Sequence, residues 1–243
     1  MIYVINPSGM WDDNGVLTGY RDLHSAQIGI TNIPQIPLDG LWAYYPLVKN
    51  ANDVSGNKRH LNEFGNPVYS TDNGTSGFST TTYFNVSGYV SGTNPRSICM
   101  WFRFIGTDSN EGVMFYQGEN NYGKNFALTR YNDDQLRVHT YGWSDASYTL
   151  SGKNDLHHVV MTYEQSSSST KRLMYVDGVL VKEWNSDTNT SATNMFFGIW
   201  AEGNTANGQY VFSGYMHDIA LYTRAITADE VLQIYNAGNS LKG

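Results

Sequence analysis

The sequence predicts an all-β protein: a sandwich of two antiparallel sheets with one short C-terminal helix, preceded by an extended N-terminal arm. Three observations carry that prediction. Short apolar runs recur across residues 41–223, each broken by Gly, Asn, Asp or Ser, and regularly spaced strands with turn signals belong to sandwiches or barrels. Several runs alternate strictly: in QLRVHTYGW (135–143), Leu136, Val138 and Thr140 face one way while Arg137, His139 and Tyr141 face the other. The composition is 40% hydrophobic and 14% aromatic, with charged residues at 15%, against roughly 25% in an average globular protein. Asn, Ser, Thr and Gly supply the polarity, which suits short strands joined by many turns.

The elements follow in chain order. Residues 1–38 contain Pro7, Pro34 and Pro37 and keep no sustained period of 2 or 3.6. The segment IGITNIPQIPL (28–38) alternates apolar residues around prolines, which lack a ladder donor, so it reads as an extended arm or an edge strand. The runs LWAYYPL (41–47), SICMWFRF (97–104), GVMFYQG (112–118), NFALTRY (125–131), HHVVMTY (157–163), RLMYVDG (172–178) and GYMHDIALY (214–222) read as strands. QSSSST (165–170) has no packing surface and reads as a solvated hairpin loop. Asp177-Gly178 is a favoured two-residue hairpin connection, because a type I′ turn needs φ > 0 at both positions. Residues 227–236 read as the helix: Thr227 and Glu230 form a capping box, Ile226 and Val231 a hydrophobic staple, and Gly238 is expected at the left-handed C′ position. The domain boundaries that result are an arm over 1–38, a sandwich over 39–238 and a tail over 239–243.

The bulk properties exclude several function classes. Formal net charge is −7 with no stretch concentrating Lys and Arg, so no basic face is expected to neutralise phosphates and no nucleic-acid partner is expected. The one cysteine, Cys99, excludes a disulfide framework and reads as a small buried hydrophobe. The start lacks a basic region followed by an apolar one, so no classical signal peptide is expected. No apolar run approaches the ~20 residues needed to cross a bilayer, so no membrane insertion is expected. A virion or extracellular setting fits these readings.

Three segments, in order, resemble one family. DGLWAYYPLVKNANDVSGNKRHL (39–61) resembles its first strand and Asn-Asp-x-Ser-Gly-Asn turn, LHHVVMTYEQ with KRLMYVDGVLV (156–181) its central hairpin, and FSGYMHDIALYTRAITADEVLQIYN (212–236) its last strand and helix. The family is the laminin-G-like, concanavalin A-like lectin/glucanase superfamily. The resemblance implies a jelly-roll sandwich and a module that usually binds rather than catalyses. It also implies a structural calcium ion near the first turn, where Asp53 and Asn57 are the candidate ligands. On the last strand His217 stands where the family's ligand Asp would be, and Asp218 is expected to face the opposite side. The alternative for Asp53 and Asn57 is that their side chains cap the turn.

Catalysis finds little support. A retaining glycoside hydrolase needs two carboxylates about 5–5.5 Å apart. The nearest candidates, Glu111 and Glu119, stand eight residues apart, and the adjacent Asp133 and Asp134 would point opposite ways in a strand. His157 and His158 are neighbours on a strand and cannot chelate one ion. No Gly-x-Ser-x-Gly elbow is present. Carbohydrate binding would use exposed aromatic rings beside short polar side chains, and Tyr122, Tyr141, Trp143 and Tyr148 are the candidate ligand-binding residues. The region from Trp200 to Asn207 offers the same mixture, with Trp200 also readable as core.

Two functions of different classes result. The first is a non-enzymatic structural or adhesive protein of a large assembly, such as a phage or viral particle, contacting other subunits through residues 1–38 as a homo-oligomer and displaying the sandwich for surface recognition. The second is a secreted or cell-surface carbohydrate-binding module, with surface glycans as partners. A glycoside hydrolase ranks below both.

Overall fold

The alternation in the sequence resolves into two stacked antiparallel sheets in the computed structural model. It describes residues 4–6, 9–11, 17–19, 36–105, 111–131, 134–141, 143–152, 154–165, 170–185 and 188–239. β1 (Val4–Asn6), β2 (Gly9–Trp11) and β3 (Leu17–Gly19) form a three-stranded antiparallel meander. Ile5 pairs with Met10, and Met10 with Gly19, so these strands use in a local ladder the backbone groups that an extended arm would leave to water. Within the expected arm, β1 to β3 thus pair with one another. Residues 20–35, including most of the proline-bearing segment, lie outside the described residues.

The sandwich strands begin with β4 (Leu41–Tyr45), β5 (Asn62–Phe64), β6 (Val68–Ser70), β7 (Gly74–Ser76), β8 (Tyr83–Val86), β9 (Arg96–Phe104) and β10 (Gly112–Gly118). They continue with β11 (Asn125–Tyr131), β12 (Gln135–Tyr141), β13 (Trp143–Thr149), β14 (His157–Gln165), β15 (Thr170–Val176) and β16 (Val179–Trp184). The last are β17 (Met195–Phe197), β18 (Ala201–Glu202), β19 (Thr205–Ala206) and β20 (Gly214–Tyr222), followed by α1 (Ala228–Asn239). One sheet runs β16-β15-β14-β9-β20-β7-β6 with β4 also on β20, and the other runs β13-β12-β11-β10-β17-β8-β5.

Alternation decides which side chains meet between the sheets. Ile98, Met100, Phe102 and Phe104 of β9 join Leu136, Val138, Phe126 and Leu128 in the main core. The intervening Cys99 lies fully buried on the outer face, under the helix, as the small-hydrophobe reading expects. Burying each large apolar side chain contributes roughly 1.5–3 kcal/mol, so this layer dominates the stability of the sandwich.

The helix covers the outer face of the eight-stranded sheet through Val231 and Ile234, which pack with Cys99, Tyr175 and Tyr222. Its capping box forms as expected: Thr227 N–H donates to Glu230 Oε2 at 2.8 Å, and Glu230 N–H to Thr227 Oγ1 at 3.3 Å. Glu230 also pairs with Arg224 at 2.5 Å, which fixes the chain leading into the helix. Gly238 differs from expectation. It sits inside the helix, which runs to Asn239, and a Cβ there would stand 2.3 Å from Trp101 Nε1. The glycine serves close approach to Trp101 rather than a left-handed cap. Ile36 is buried in the same cluster, and Tyr222 donates its hydroxyl to the Pro37 carbonyl at 3.0 Å. The sandwich thus gathers in residues 36–38, ahead of the expected start at Asp39.

Asp177 and Gly178 have φ of 52° and 80°, the type I′ geometry expected of that pair. Gln165 pairs with Thr170 across the serine-rich hairpin, whose loop residues 166–169 lie outside the described residues.

Candidate functional site

Among the described residues, no helix covers the outer face of the seven-stranded sheet. Here Val113, Ala127 and Phe196 pack with Ile199, Trp200 and Ala201 in a cluster separate from the main core. Strand register sets two cross-strand rows: Val113, Thr129 and Arg137 in one, Tyr116, Ala127 and His139 in the next. Trp200 stands above the second row, its ring 4.4 Å from Tyr116 and edge-on to His139 at 6.2 Å.

Glu111, one residue before β10, bends over the first row. Its Oε1 lies 2.6 Å from His139 Nε2 and accepts the Thr129 hydroxyl at 2.7 Å. Nε2 therefore carries a proton toward Glu111, while Nδ1 is buried without a hydrogen-bond partner. Burial works to raise the Glu111 carboxyl. The hydrogen bond and charge of His139, with the Thr129 hydroxyl and the charge of Arg137, outweigh it and hold the group below its ordinary value.

Beside this carboxylate opens a cavity of about 640 Å³ lined by Glu111, Arg130, Gln209, Tyr210, Val211 and Ser213. Tyr210 is 44% exposed and its ring contacts Trp200 at 5.7 Å. The cavity therefore offers one apolar ring face, one oriented carboxylate and an amide, the usual make-up of a small-molecule binding site. It does not offer a nucleophile with a relay. Thr129 Oγ1 and Glu111 Oε1 both approach the same His139 nitrogen, whereas a base serving a nucleophile must use its other nitrogen toward the acid. Glu111 and Glu119 flank opposite ends of β10, roughly 25 Å apart at about 3.4 Å per residue, which removes them as a hydrolytic pair.

The residues singled out in the sequence are dispersed. Tyr122 is 76% exposed on the turn between β10 and β11. Tyr141 pairs with Trp143 at the tip of β12 and β13, and the side chains of both lie outside the described residues. Tyr148 packs half-buried against the main core, because it pairs with the inward-facing Leu136. Tyr148 is therefore only partly open to solvent. Asp134 remains described, while Asp133 does not. His157 and His158 face opposite sides as expected: His157 bonds Asp177 at 2.7 Å, and His158 packs against Trp101 and Tyr235 on the outer face. Tyr210 of the cavity carries no sequence signal, and Thr129 and His139, which hold the Glu111 carboxylate from below, show only that they lie on the outward side of their strands. Their meeting with Glu111 depends on register, which alternation does not specify.

The first turn does not fit calcium. Asp53 is buried and accepts N–H groups from Tyr44 at 3.0 Å, Ser55 at 2.8 Å and Arg59 at 2.9 Å. Asn57 turns its NH₂ to the carbonyls of Leu41 and Trp42, each at 3.1 Å, and Arg59 lies over the Trp42 ring at 4.6 Å. A hard cation needs six or more oxygen donors, and this turn presents N–H groups and a guanidinium instead. The last strand also departs from expectation. A bulge between His217 and Ala220, with Asp218 at φ 48°, inserts one residue and puts Asp218 beside His217 rather than on the opposite face. Tyr44 donates to Asp218 Oδ1 at 2.5 Å and His217 Nδ1 lies 3.0 Å from Oδ2, so the carboxylate is occupied by protein groups. Among the described residues no group of three His, Cys, Asp or Glu could hold a metal ion.

A family model described as the concanavalin A-like lectin/glucanases superfamily matches residues 74–232, more than half of the chain. The chain belongs to this superfamily. Among solved structures, the superfamily sandwich here is similar to the receptor-binding domain of botulinum neurotoxin type G, with a TM-score of 0.62 and 14% identity over 82% of this chain and 52% of that one. It is similar to the binding domain of botulinum neurotoxin DC in complex with SialylT, with a TM-score of 0.60 and 15% identity over 84% and 52%. It is also similar to a Trypanosoma rangeli sialidase in complex with sialic acid, with a TM-score of 0.63 and 12% identity over 85% and 34%. At these identities the likeness shows the fold alone, and the chain spans about half or less of the length of each neighbour. No curated protein matches the sequence.

Proposed function

We propose that this superfamily member is a non-enzymatic glycan-recognition module, and that it binds sugar in the cavity between Glu111 and Tyr210. The observation that carries the reading is the pairing of a half-exposed aromatic ring with a carboxylate already oriented by His139 and Thr129. A sugar presents an apolar C–H face and a rim of hydroxyl donors. The ring accepts the first and the ionised carboxylate the second, with no rotamer left to freeze on the Glu111 side. Two of the neighbours named above are complexes, one with SialylT and one with sialic acid, which is consistent with this reading for the fold. A glycan array probed with the intact protein and with Tyr210→Ala tests it. Retention of specific glycans by the first and not the second supports the cavity; absence of any binding by the intact protein removes the proposal.

The setting we propose is a structural or adhesive protein of a large assembly, such as a phage or viral particle. Residues 1–38 would hold the subunit and the sandwich would face outward. Its support is the proline-bearing segment 28–38 and its anchored end, where Ile36 is buried under the helix. Size measurement on a chain lacking residues 1–35 tests this part. An unchanged oligomeric state would remove it and leave a free-standing binding module.

A further inference from the structure

The same outer face holds a second group of polar side chains that the open cavity does not reach. The Tyr116 hydroxyl and both amide atoms of Asn125 are fully buried and close no hydrogen bond. Both belong to neighbouring strands, Asn125 opposite Gly118 and Tyr116 opposite Ala127. Burial acts most strongly on the Tyr116 hydroxyl; the Asn125 amide lies close to it, and the charges of Glu202 and Glu119 act on it more weakly. Native proteins seldom leave buried polar atoms unpaired, and a group of them needs an explanation.

What covers them is slight. Trp200 lies against the Tyr116 ring, and the β18–β19 hairpin continues from it with two residue pairs, Ala201 with Ala206 and Glu202 with Thr205, extended by Asn207 N–H to Trp200 O at 3.1 Å and Trp200 N–H to Gln209 O at 3.2 Å. Gly203 N–H reaches Gly118 O at 3.2 Å, and Asn194 N–H reaches Asn204 Oδ1 at 2.7 Å. Glu202, Asn204 and Thr205 are exposed. A two-stranded hairpin of this size is marginal by itself, so its opening is cheap compared with opening the sheet. Beneath Trp200, Ala127 presents only a methyl group between Tyr116 and His139, which leaves a shallow floor once the indole moves.

We infer that the hairpin beginning at Trp200 is a lid over a second contact point, in which the Tyr116 hydroxyl and the Asn125 amide bind hydroxyl groups of an extended oligosaccharide. This rests on the glycan reading of the Glu111 cavity and adds the size of its ligand. Along β11 the Asn125 end and the Thr129 end are four residues apart, roughly 13 Å, longer than one sugar ring. A chain lying along the strand meets Glu111 and Tyr210 at one end and Tyr116 and Asn125 at the other. Trp200, displaced from its seat, is available to stack on an intermediate ring.

Calorimetric titration of the array hit, and of malto-, cello- and chito-oligosaccharides graded from disaccharide to hexasaccharide, tests this with wild type and Tyr116→Phe. The substitution removes a hydroxyl whose polar neighbour is the Asn125 amide, so the unfolding midpoint should hold or fall only slightly. The longest bound member should weaken about 3- to 10-fold, the loss of one neutral hydrogen bond, while short members keep their affinity. Equal affinities of wild type and Tyr116→Phe across a bound series overturn the lid site and leave the Glu111 cavity standing. No binding by wild type to any of these overturns both.

Discussion

Glu111 holds His139 by a single carboxylate oxygen at 2.6 Å, and that contact ties the cavity's rim to β12, two strands across the sheet from β10. The carboxyl is held below its ordinary value, so it releases its proton more readily folded than unfolded. Its contribution to stability is present above the unfolded value near 4.5 and is lost as pH falls through the folded one. The stability difference between wild type and Glu111→Gln should therefore be largest near neutrality and shrink in acid. Urea midpoints measured across pH read this directly; a difference that stays constant with pH would mean the charge is not what binds His139.

His157 sits between two acceptors, Asp177 Oδ2 at 2.7 Å and the Gly152 carbonyl at 3.0 Å, and can satisfy both only when doubly protonated. Burial works to lower its pKa, but these bonds and the charge of Asp177 leave it raised above 6.5. Burial likewise works to raise Asp177, and the bonds from His157 and from the His158 N–H leave it lowered below 3.8. A raised histidine stabilises below its unfolded pKa and loses that contribution as pH rises through the folded value; the lowered aspartate does the reverse on the acid side. The ion pair thus contributes most between the two. NMR titration should place His157 above 6.5 in wild type and lower in Asp177→Asn, with an unmoved midpoint arguing against the pair.

Gly238→Ala reverses the usual sign of a glycine-to-alanine change in a helix. The added methyl ordinarily gains about 1 kcal/mol. Here the new Cβ would stand 2.3 Å from the Trp101 indole, which is itself fully buried and stacked on Tyr235 at 5.5 Å. Overpacking of this kind costs about 1–3 kcal/mol. Guanidinium unfolding should show net destabilisation; a stabilised variant would mean the helix shifts without cost.

Asp53 organises the first turn through three backbone N–H groups. Asp53→Ala leaves those donors unpaired and should cost about 2–5 kcal/mol. Because protein donors take the place of a cation, the melting temperature of wild type should be the same in calcium and in EDTA. A calcium-dependent rise in melting temperature, abolished in Asp53→Ala, would restore the metal reading.

The sandwich was legible because its causes are local. Leu136 and Val138 point inward and Arg137 and His139 outward by chain alternation alone, and Asp177-Gly178 and Thr227 with Glu230 specify their turn and cap without help from distant residues. What escaped depends on long-range register or on irregularity. Gly238 is explained only by Trp101, more than a hundred positions earlier, and Asp218 changes face through a bulge. The candidate site was the least legible part. Glu111, Thr129, His139 and Tyr210 come from four separate segments, and only the pairing of β10, β11 and β12 brings the first three together.

The most direct measurement is a calorimetric titration of the strongest array glycan into wild type, Tyr210→Ala and Glu111→Gln. Tyr210 is 44% exposed, so its removal should leave the melting temperature nearly unchanged while weakening binding about tenfold or more, as loss of an aromatic contact does. Glu111→Gln should weaken binding by a similar factor, the difference between a charged and a neutral acceptor. Wild-type affinity in both folded variants would contradict the Glu111–Tyr210 cavity as the sugar-binding site.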